Sequence, residues 1–119
     1  MKTPKADYQP YIVRPLAGLA EGEIDLDAAG GNANEALMPF IMQLLQAAMQ
    51  DEAEGNRDAA AISSLSVQRQ AGQLAGRIYG QAYTEKRGET VVFLRAKLFD
   101  AEGRLTMTCM ATSHVSQSG

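Results

Sequence analysis

Residues 90–100 of the chain read TVVFLRAKLFD and show most clearly the pattern that decides the fold. Successive side chains of a strand point to opposite faces. Between Val91 and Phe99, one face is therefore entirely apolar, while the other mixes apolar and basic residues. The same alternation runs through the second half of the chain, from Ala59 to Val115. It predicts four long strands joined by short turns: Ala60–Arg69, Ala75–Lys86, Thr90–Asp100 and Arg104–His114.

One long apolar helix precedes these strands, at about Asn34 to Ala53. Its apolar residues recur at the spacing of a buried stripe: Leu37, Phe40, Ile41, Leu44, Leu45 and Ala48. Met38, Met42 and Met49 widen this stripe until only a narrow polar strip remains. Such a helix needs cover on nearly every side, and one curved antiparallel sheet provides it most simply. The sequence therefore predicts an α+β fold with one central helix wrapped by one sheet.

The segment before the helix is predicted to contain an arm, two short strands and a loop. Residues 1–10, with two prolines, form an extended arm, and residues 11–119 form a single domain. Short strands are expected at Tyr11–Pro15 and Gly22–Leu26. The loop at residues 27–33 contains Gly30 and Gly31, whose conformational freedom permits a tight approach to the helix.

The ends of the helix carry their own signals. Asn34 or Asn32 can cap the N-terminus, and Glu35 would lie favourably near the positive end of the helix dipole. Pro39 is expected near the first turn, where its missing N–H group costs little. Gly55–Asn56 is expected to end the helix.

Composition limits the classes of function. The chain has 119 residues, of which 45% are hydrophobic, and its formal net charge is −3. Its 11 Lys and Arg residues are dispersed, so we expect no nucleic-acid partner. No apolar run has membrane-spanning length and the N-terminus lacks the apolar core of a secretory signal, so we expect a cytoplasmic protein without membrane contact. A single cysteine, Cys109, excludes an intrachain disulfide and a cysteine-built metal site, and we expect no metal.

Four segments of the second half have an informative order and spacing: residues 66–82 (SVQRQAGQLAGRIYGQA), 85–88 (EKRG), 98–105 (LFDAEGRL) and 111–115 (ATSHV). Together they resemble the hotdog-fold acyl-CoA thioesterases of the phenylacetate-pathway type. The resemblance implies a hotdog fold, an acyl-CoA or related acyl thioester as substrate, and no cofactor apart from the CoA of the substrate. It also implies a homodimer with edge-to-edge sheets and both helices on the concave side, which could pair again into a homotetramer.

The catalytic residues of that family are the point where this sequence departs from it. Such enzymes usually carry His-Gly-Gly before the helix and an Asp or Glu further along it. Alignment of the strands puts residues 34–36 (NEA) in the first slot and Gln43 in the second. A shifted alignment keeps Gly30 and Gly31 but puts Met38 in the acid slot. An amide can orient a water but cannot remove a proton at neutral pH, so the chain has either moved its chemistry or lost it.

Gln43, Asn34 and Glu35 are the candidate catalytic residues that follow from the resemblance. Gln43 would hold a water or the thioester oxygen, and the helix N-terminus would meet the oxyanion. Glu35 lies two helical turns, about 12 Å, from Gln43, so it would reach only a substrate that enters at the helix N-terminus. Each residue also has a simpler interpretation: Asn34 as the cap, Glu35 as a first-turn charge and Gln43 as a solvated or interface amide.

Arg69, Arg87 and Gly88 are the candidates for contact with the CoA phosphates, because the family usually meets these groups at strand ends. Solvated strand-end charges are the alternative. The site is expected at the dimer interface, between Gly30–Glu35 of one chain and the strands of the other, with both arginines near its mouth. His114 is expected to be a surface or packed histidine.

Two classes of function remain open from the sequence. The first is an enzyme that hydrolyses an acyl thioester. The second is a catalytically inactive hotdog protein that binds an acyl-CoA or an apolar ligand, or serves only as a structural oligomer. The preserved motifs favour the first class, and the missing acid favours the second.

Overall fold

The structure is a computed structural model, and it describes residues 11–16, 19–52 and 60–115. In chain order the elements are β1 (Tyr11–Leu16), β2 (Leu19–Asp25), α1 (Leu26–Ala29), α2 (Ala33–Glu52), β3 (Ala60–Arg69), β4 (Arg77–Arg87), β5 (Val91–Phe99) and β6 (Leu105–Val115). The strands form one antiparallel sheet in the order β1-β2-β4-β5-β6-β3. The predicted arm at 1–10 and the predicted helix end at 55–56 lie outside the described residues.

The alternation predicted from the sequence separates two faces of the sheet. On β5, Val92 and Leu94 are buried against the helix side, whereas Phe93 between them is 39% exposed. We call the helix side the inner face and the opposite side the outer face. Helix α2 packs against β1, β2 and β4 and reaches β5 and β3. The prediction of an α+β fold with one long helix covered by one antiparallel sheet is confirmed.

A slot of two glycines lets the helix approach the sheet closely. Gly22 of β2 and Gly80 of β4 are register partners, and both lie under the ring of Phe40. A Cβ atom on Gly80 would lie 2.6 Å from Leu44 Cδ1, and one on Gly22 would lie 2.3 Å from the Ile12 carbonyl oxygen. A residue larger than glycine would displace the β1 backbone at Gly22 and the side chains of Leu44 and Phe40 at Gly80, so the slot limits how closely the helix can approach the sheet.

The start of α2 selects one of the two expected caps and differs from the expectation at Pro39. Asn32 is the cap, because its Oδ1 accepts hydrogen bonds from the N–H groups of Asn34 (2.8 Å) and Glu35 (3.4 Å). Asn34 lies in the first helical turn, so the alternative that made it the cap is wrong. Pro39 lies inside the helix rather than near its first turn. Because proline has no N–H group, the carbonyl of Glu35 loses its partner four residues on.

A short helix, α1, was not expected in the loop at 27–33. Asp25 caps it, since its Oδ1 accepts from the N–H groups of Asp27 (3.1 Å) and Ala28 (3.3 Å). Gly30 and Gly31 follow it with φ of 72° and 66°, in the left-handed region that favours glycine. These two glycines turn the chain from α1 into α2.

The two edges of the sheet differ in their protection. The β1 edge has six residues and contains Pro15, whereas the β3 edge has ten residues and contains neither proline nor lysine. Val67 on β3 is 41% exposed although its register partner, Cys109, belongs to the buried inner face. Long edge strands without such protection are templates for pairing with another strand. The β3 edge is therefore the open edge of this sheet.

Candidate functional site

A cavity of about 360 Å³ lies at the start of α2. We call it the helix-start cavity, and its lining residues are Tyr11, Ala29, Gly30, Gly31, Asn32, Glu35, Ala36 and Pro39. The turn at the two glycines forms one wall, and the first two turns of α2 form another. The ring centroids of Tyr11 and Phe40 are 5.7 Å apart. The wall of the cavity at Tyr11 therefore packs against Phe40, the side chain that lies over the two glycines of the slot.

The helix-start cavity combines hydrogen-bond donors with one carboxylate. The first N–H groups of a helix have no partner within the helix, and the helix dipole gives this end a partial positive charge. Here the side chain of Asn32 accepts from the N–H groups of Asn34 (2.8 Å) and Glu35 (3.4 Å), and its carbonyl accepts from that of Ala36 (3.0 Å). An oxygen of a ligand could take the first two donors only if the Asn32 side chain moved aside. Glu35 is the only carboxylate among the lining residues, and it is exposed.

The three candidate catalytic residues are placed differently. Glu35 lines the helix-start cavity, whereas Asn34 and Gln43 do not. Gln43 is exposed on α2, two turns beyond Glu35 and about 12 Å along the helix. The structure therefore separates the Gln43 position from Glu35 within a single chain.

Arg69 is held by its own chain. Its Nη1 donates to the backbone carbonyls of Gln70 (3.2 Å), Gly72 (3.3 Å) and Thr106 (2.9 Å), and to Thr106 Oγ1 (3.0 Å). These bonds fasten the loop between β3 and β4. The side chain thus has a structural task that the sequence did not indicate.

Arg69 and Arg87 lie at opposite ends of the sheet within one chain. Arg69 is paired with Met107 of β6, whereas Arg87 is paired through Val92 of β5 with Ser113 of β6. These two positions on β6 are about 20 Å apart along the strand. Gly88 follows Arg87, and its N–H group donates to the Val91 carbonyl at 2.8 Å to close the β4–β5 turn. A single chain therefore does not bring the two arginines to one mouth.

Asp100, in the segment LFDAEGRL, is a buried structural carboxylate. It accepts from the backbone N–H groups of Gln73 (3.1 Å), Glu102 (3.0 Å) and Arg104 (2.9 Å), and from Arg104 Nε (3.1 Å). The N–H group of Gln73 and then that of Arg104 hold the pKa of Asp100 below its usual value. This motif shapes the turn before β6 and the loop before β4, which explains why its spacing is informative about the fold.

Two other reactive side chains lie away from the helix-start cavity. His114 is exposed, and its Nδ1 lies 2.9 Å from Ser63 Oγ, on the outer face. Cys109 is fully buried, and burial raises the pKa of its thiol to about 11. In the described part of the chain, no group of three or more His, Cys, Asp or Glu residues could hold a metal ion. None of the described helices is long and apolar enough to cross a membrane.

Comparison with solved structures identifies the architecture. Zebra fish thioesterase superfamily member 2 matches with a TM-score of 0.75 and 16% identity, covering 90% of this chain and 82% of that protein. A hypothetical thioesterase from Streptococcus pneumoniae, solved with coenzyme A, gives 0.71 and 15%, covering 89% and 85%. The PaaI protein of the E. coli phenylacetic acid degradation operon gives 0.71 and 13%, covering 90% and 80%. The chain has the hotdog fold. No family model and no curated protein matches its sequence.

The hotdog fold expected from the four sequence segments is thus confirmed at the level of architecture. TM-scores of 0.71–0.75 show that the backbone is shared, while identities of 13–16% leave the chemistry to be argued from this chain's own residues. Sequence reasoning selected the segment Gly30–Glu35, which includes Asn32, but missed Tyr11 as part of the cavity. Tyr11 had no signal, because its position depends on the pairing of β1 with β2.

Proposed function

We propose that the chain binds and hydrolyses acyl thioesters, with an acyl-CoA as the substrate, at the start of α2. The observation that carries this proposal is the helix-start cavity, which combines a helix N-terminus with the carboxylate of Glu35. The hotdog architecture, shared with proteins described as thioesterases, supports the same class of reaction. Thioester hydrolysis needs a positive group for the developing oxyanion and a base for the water.

The reaction follows from these two groups. A water attacks the carbonyl carbon of the thioester and gives its proton to Glu35, while the first N–H groups of α2 stabilise the oxyanion. The carbon–sulfur bond then breaks, and the thiolate takes the proton from Glu35 and leaves as the free thiol. The Asn32 side chain has to move from the N–H group of Asn34 for this to occur. Glu35 is therefore the proposed base, in place of the acid that the family carries later in its helix.

Gln43 has a second role in this proposal. Its amide is exposed on α2, where a second chain could cover it, and it can hydrogen-bond a water or another part of the substrate about 12 Å from Glu35. It cannot itself be the base. Asn34 contributes its backbone N–H group rather than its side chain.

We propose that the site is completed in a homodimer formed at the β3 edge. The support is the unprotected ten-residue edge strand and the exposure of Val67 on its inner side. Pairing of β3 with a second β3 would continue the sheet and cover this apolar side chain. Two such dimers could pair again into a tetramer.

The dimer would also explain the positions of the arginines. Antiparallel pairing of two β3 strands reverses one chain relative to the other, so the Arg69 end of one sheet meets the Arg87 end of its partner. Arg87 and the Gly88 turn of one chain would then lie at the same end as the helix-start cavity of the other. Phosphates of CoA could bind there through charge-assisted hydrogen bonds. Replacement of Arg87 by Ala should weaken CoA binding by about 1.5–3 kcal/mol. An unchanged affinity in a calorimetric titration would remove Arg87 from the site.

The second candidate function is an inactive hotdog protein that binds an acyl-CoA or an apolar ligand. The observation in its favour is the hydrogen bond from Asn34 N–H to Asn32, which occupies a donor that catalysis would need. If that bond persists with ligand present, the cavity would bind without hydrolysing. A purely structural oligomer would do neither.

Release of free thiol from short, long and aromatic acyl-CoAs tests the proposal. We expect turnover by the native protein and a loss of about 10²–10⁴ in rate for Glu35→Gln, which keeps the shape but removes the base. Gln43→Ala should lower turnover. Gln46→Ala is the matched control and should leave turnover unchanged, because Gln46 is also exposed on α2 but lies about one turn further along the helix. Gln43→Glu should raise turnover if that position faces the thioester.

The remaining outcomes are equally informative. Binding of acyl-CoA without turnover, in the native protein and in Gln43→Glu, would establish the inactive binder. Absence of both binding and turnover would leave the structural oligomer. Turnover that is indifferent to Glu35 and Gln43 would mean that the reaction occurs elsewhere.

A further inference from the structure

A second and larger cavity, of about 560 Å³, lies on the outer face of the sheet, away from the helix. It is formed over β5 and β6, between β3 and β4, each of which has an irregularity in its pairing beside the cavity. One irregularity lies between Ile62 and Ser64 of β3, and the other between Thr84 and Lys86 of β4. Bulges bend a strand and increase its local twist, so they account for a groove at this place on the outer face. We call this cavity the outer groove.

One row of side chains crosses the outer groove from strand to strand. Lys86 of β4 pairs with Phe93 of β5, Phe93 with Thr112 of β6, and Thr112 with Ser64 of β3. Adjacent strands are about 4.8 Å apart, so this row spans about 14 Å. The groove therefore presents a cation at one side, an aromatic ring in the middle and hydroxyl groups at the other side.

The floor of the outer groove is apolar and accessible. Met110 is 52% exposed and Phe93 is 39% exposed. Met110 lies two residues from Thr112, the partner of Phe93, so the two are diagonal neighbours, a spacing that long and aromatic side chains can span. Together they offer an apolar surface of the kind that covers the hydrocarbon part of a ligand.

The charge balance of the groove favours an anion. Glu85 is already neutralised, because Arg95 donates to it from Nε (3.2 Å) and from Nη2 (3.3 Å). Lys86 forms no ion pair with any residue that the structure describes, so its ammonium group is the uncompensated charge. An ammonium group is a compact donor that suits a carboxylate.

The hydroxyl groups of the outer groove are held in a fixed arrangement. Thr112 Oγ1 lies 2.6 Å from Ser64 Oγ and 3.3 Å from Ser63 Oγ, and Ser63 Oγ lies 2.9 Å from His114 Nδ1. Pre-arranged polar groups beside an apolar floor fix the orientation of a small ligand. A volume of about 560 Å³ lies within the range of small-molecule sites.

We propose that the outer groove binds a small amphipathic carboxylate, such as a medium-chain fatty acid or an aryl-alkanoic acid. Its carboxylate contacts Lys86, and its hydrocarbon part covers Phe93 and Met110. This site is separate from the helix-start cavity and does not depend on the proposed hydrolase activity. It lies on the opposite face of the sheet from α2.

Calorimetric titration of the full chain with octanoate, in the absence of CoA, tests this inference. Octanamide is the matched neutral probe, because it keeps the chain but lacks the charge. We expect octanoate to bind at least about tenfold more tightly than octanamide, the scale of a charge-assisted hydrogen bond. Lys86→Gln should remove this difference, and Phe93→Ala should weaken both probes. Lys97→Gln is the control, since Lys97 lies on the same face of β5 outside the groove.

Three outcomes would overturn the inference. If octanoate binds no more tightly than octanamide, the groove does not recognise the negative charge of a carboxylate. Octanoate binding that persists unchanged in Lys86→Gln and Phe93→Ala would place the ligand elsewhere. Sedimentation in which Met110→Asp splits the native assembly would show that a second copy of the chain, rather than a small molecule, covers the groove.

Discussion

The glycine slot under Phe40 gives the sharpest test of how the helix is positioned. A Cβ atom added to Gly22 would lie 2.3 Å from the Ile12 carbonyl oxygen and 3.1 Å from Val13 Cα, both of which are backbone atoms. A Cβ atom on Gly80 would lie 2.6 Å from Leu44 Cδ1, the end of a flexible side chain. Relief of the clash requires a shift of β1 at Gly22, whereas at Gly80 it requires a rotation of Leu44 and a shift of a few tenths of an ångström in the Phe40 ring, which lies 3.2 Å away.

These contacts give an order of magnitude for each substitution. Overpacking costs about 1–3 kcal/mol, and the reduced entropy of the unfolded chain in Gly→Ala offsets about 0.5–1 kcal/mol. For Gly22 we take the upper limit of the overpacking cost, about 3 kcal/mol, because its neighbours are backbone atoms. After the offset of about 1 kcal/mol, Gly22→Ala should lower the free energy of unfolding by about 2 kcal/mol. For Gly80 we take the lower limit, so Gly80→Ala should change it by less than about 0.5 kcal/mol.

Urea unfolding followed by circular dichroism measures both values. The slope of the unfolding free energy against urea should stay unchanged, so the midpoints report stability directly. Gly22→Ala should also weaken any ligand binding at the helix-start cavity, because Tyr11 of that cavity packs on Phe40. Equal midpoints for the native protein and Gly22→Ala, or a larger loss for Gly80→Ala, would refute the account of the slot.

Three further outcomes follow from the structure. The pKa of Asp100 is lowered, so its carboxylate stabilises the fold at pH values above the unfolded pKa of 3.8, and this stabilisation is lost as the pH falls below that value. Asp100→Asn should therefore flatten the acid side of a plot of melting temperature against pH. An unchanged plot would count against this role. The buried thiol of Cys109, with a pKa raised to about 11, should react with a thiol reagent at pH 8 only after urea is added, and rapid labelling of the native protein would contradict its burial. Val67→Lys on the β3 edge should yield a monomer by sedimentation. Ile12→Lys is the control, because Ile12 is 54% exposed on the β1 edge, and it should leave the assembly intact. Identical behaviour of the two variants would exclude the β3 edge as the interface.

The sequence predicted the strands well where one face is apolar and the other polar. β3 has the bounds that the alternation predicted, and β5 differs by one residue at each end. β2 was predicted too late along the chain, because its buried positions include Ala20 and Gly22, which carry little hydrophobic signal. The short helix α1 was missed because a single turn capped by Asp25 has no apolar period.

The candidate site was less predictable, because it depends on topology. β3 pairs with β6, which lies far along the sequence. Arg69 and Arg87 lie at opposite ends of the sheet because of this strand order, and no local sequence pattern indicates the strand order. The structural bonds of Arg69 have the same origin, since they reach Thr106 across the sheet. Glu35, in contrast, was found by its place at the helix start, which is a local property.

The outer groove was invisible in the sequence for a related reason. Its row of Lys86, Phe93, Thr112 and Ser64 is drawn from four strands, and each residue alone reads as an ordinary outward position. Two bulges shape the groove by shifting the register of β3 and β4. The sequence has no proline or glycine at either bulge that would have indicated it.

A crystal structure of the protein with a non-hydrolysable acyl-CoA analogue tests the central claim most directly. We predict a dimer paired at β3, with the analogue's carbonyl oxygen about 3 Å from the first N–H groups of α2 and the Asn32 side chain displaced. Glu35 should face the carbonyl carbon across the space for one water. An analogue bound with its carbonyl away from α2, or with Asn32 still capping the helix, would contradict the account.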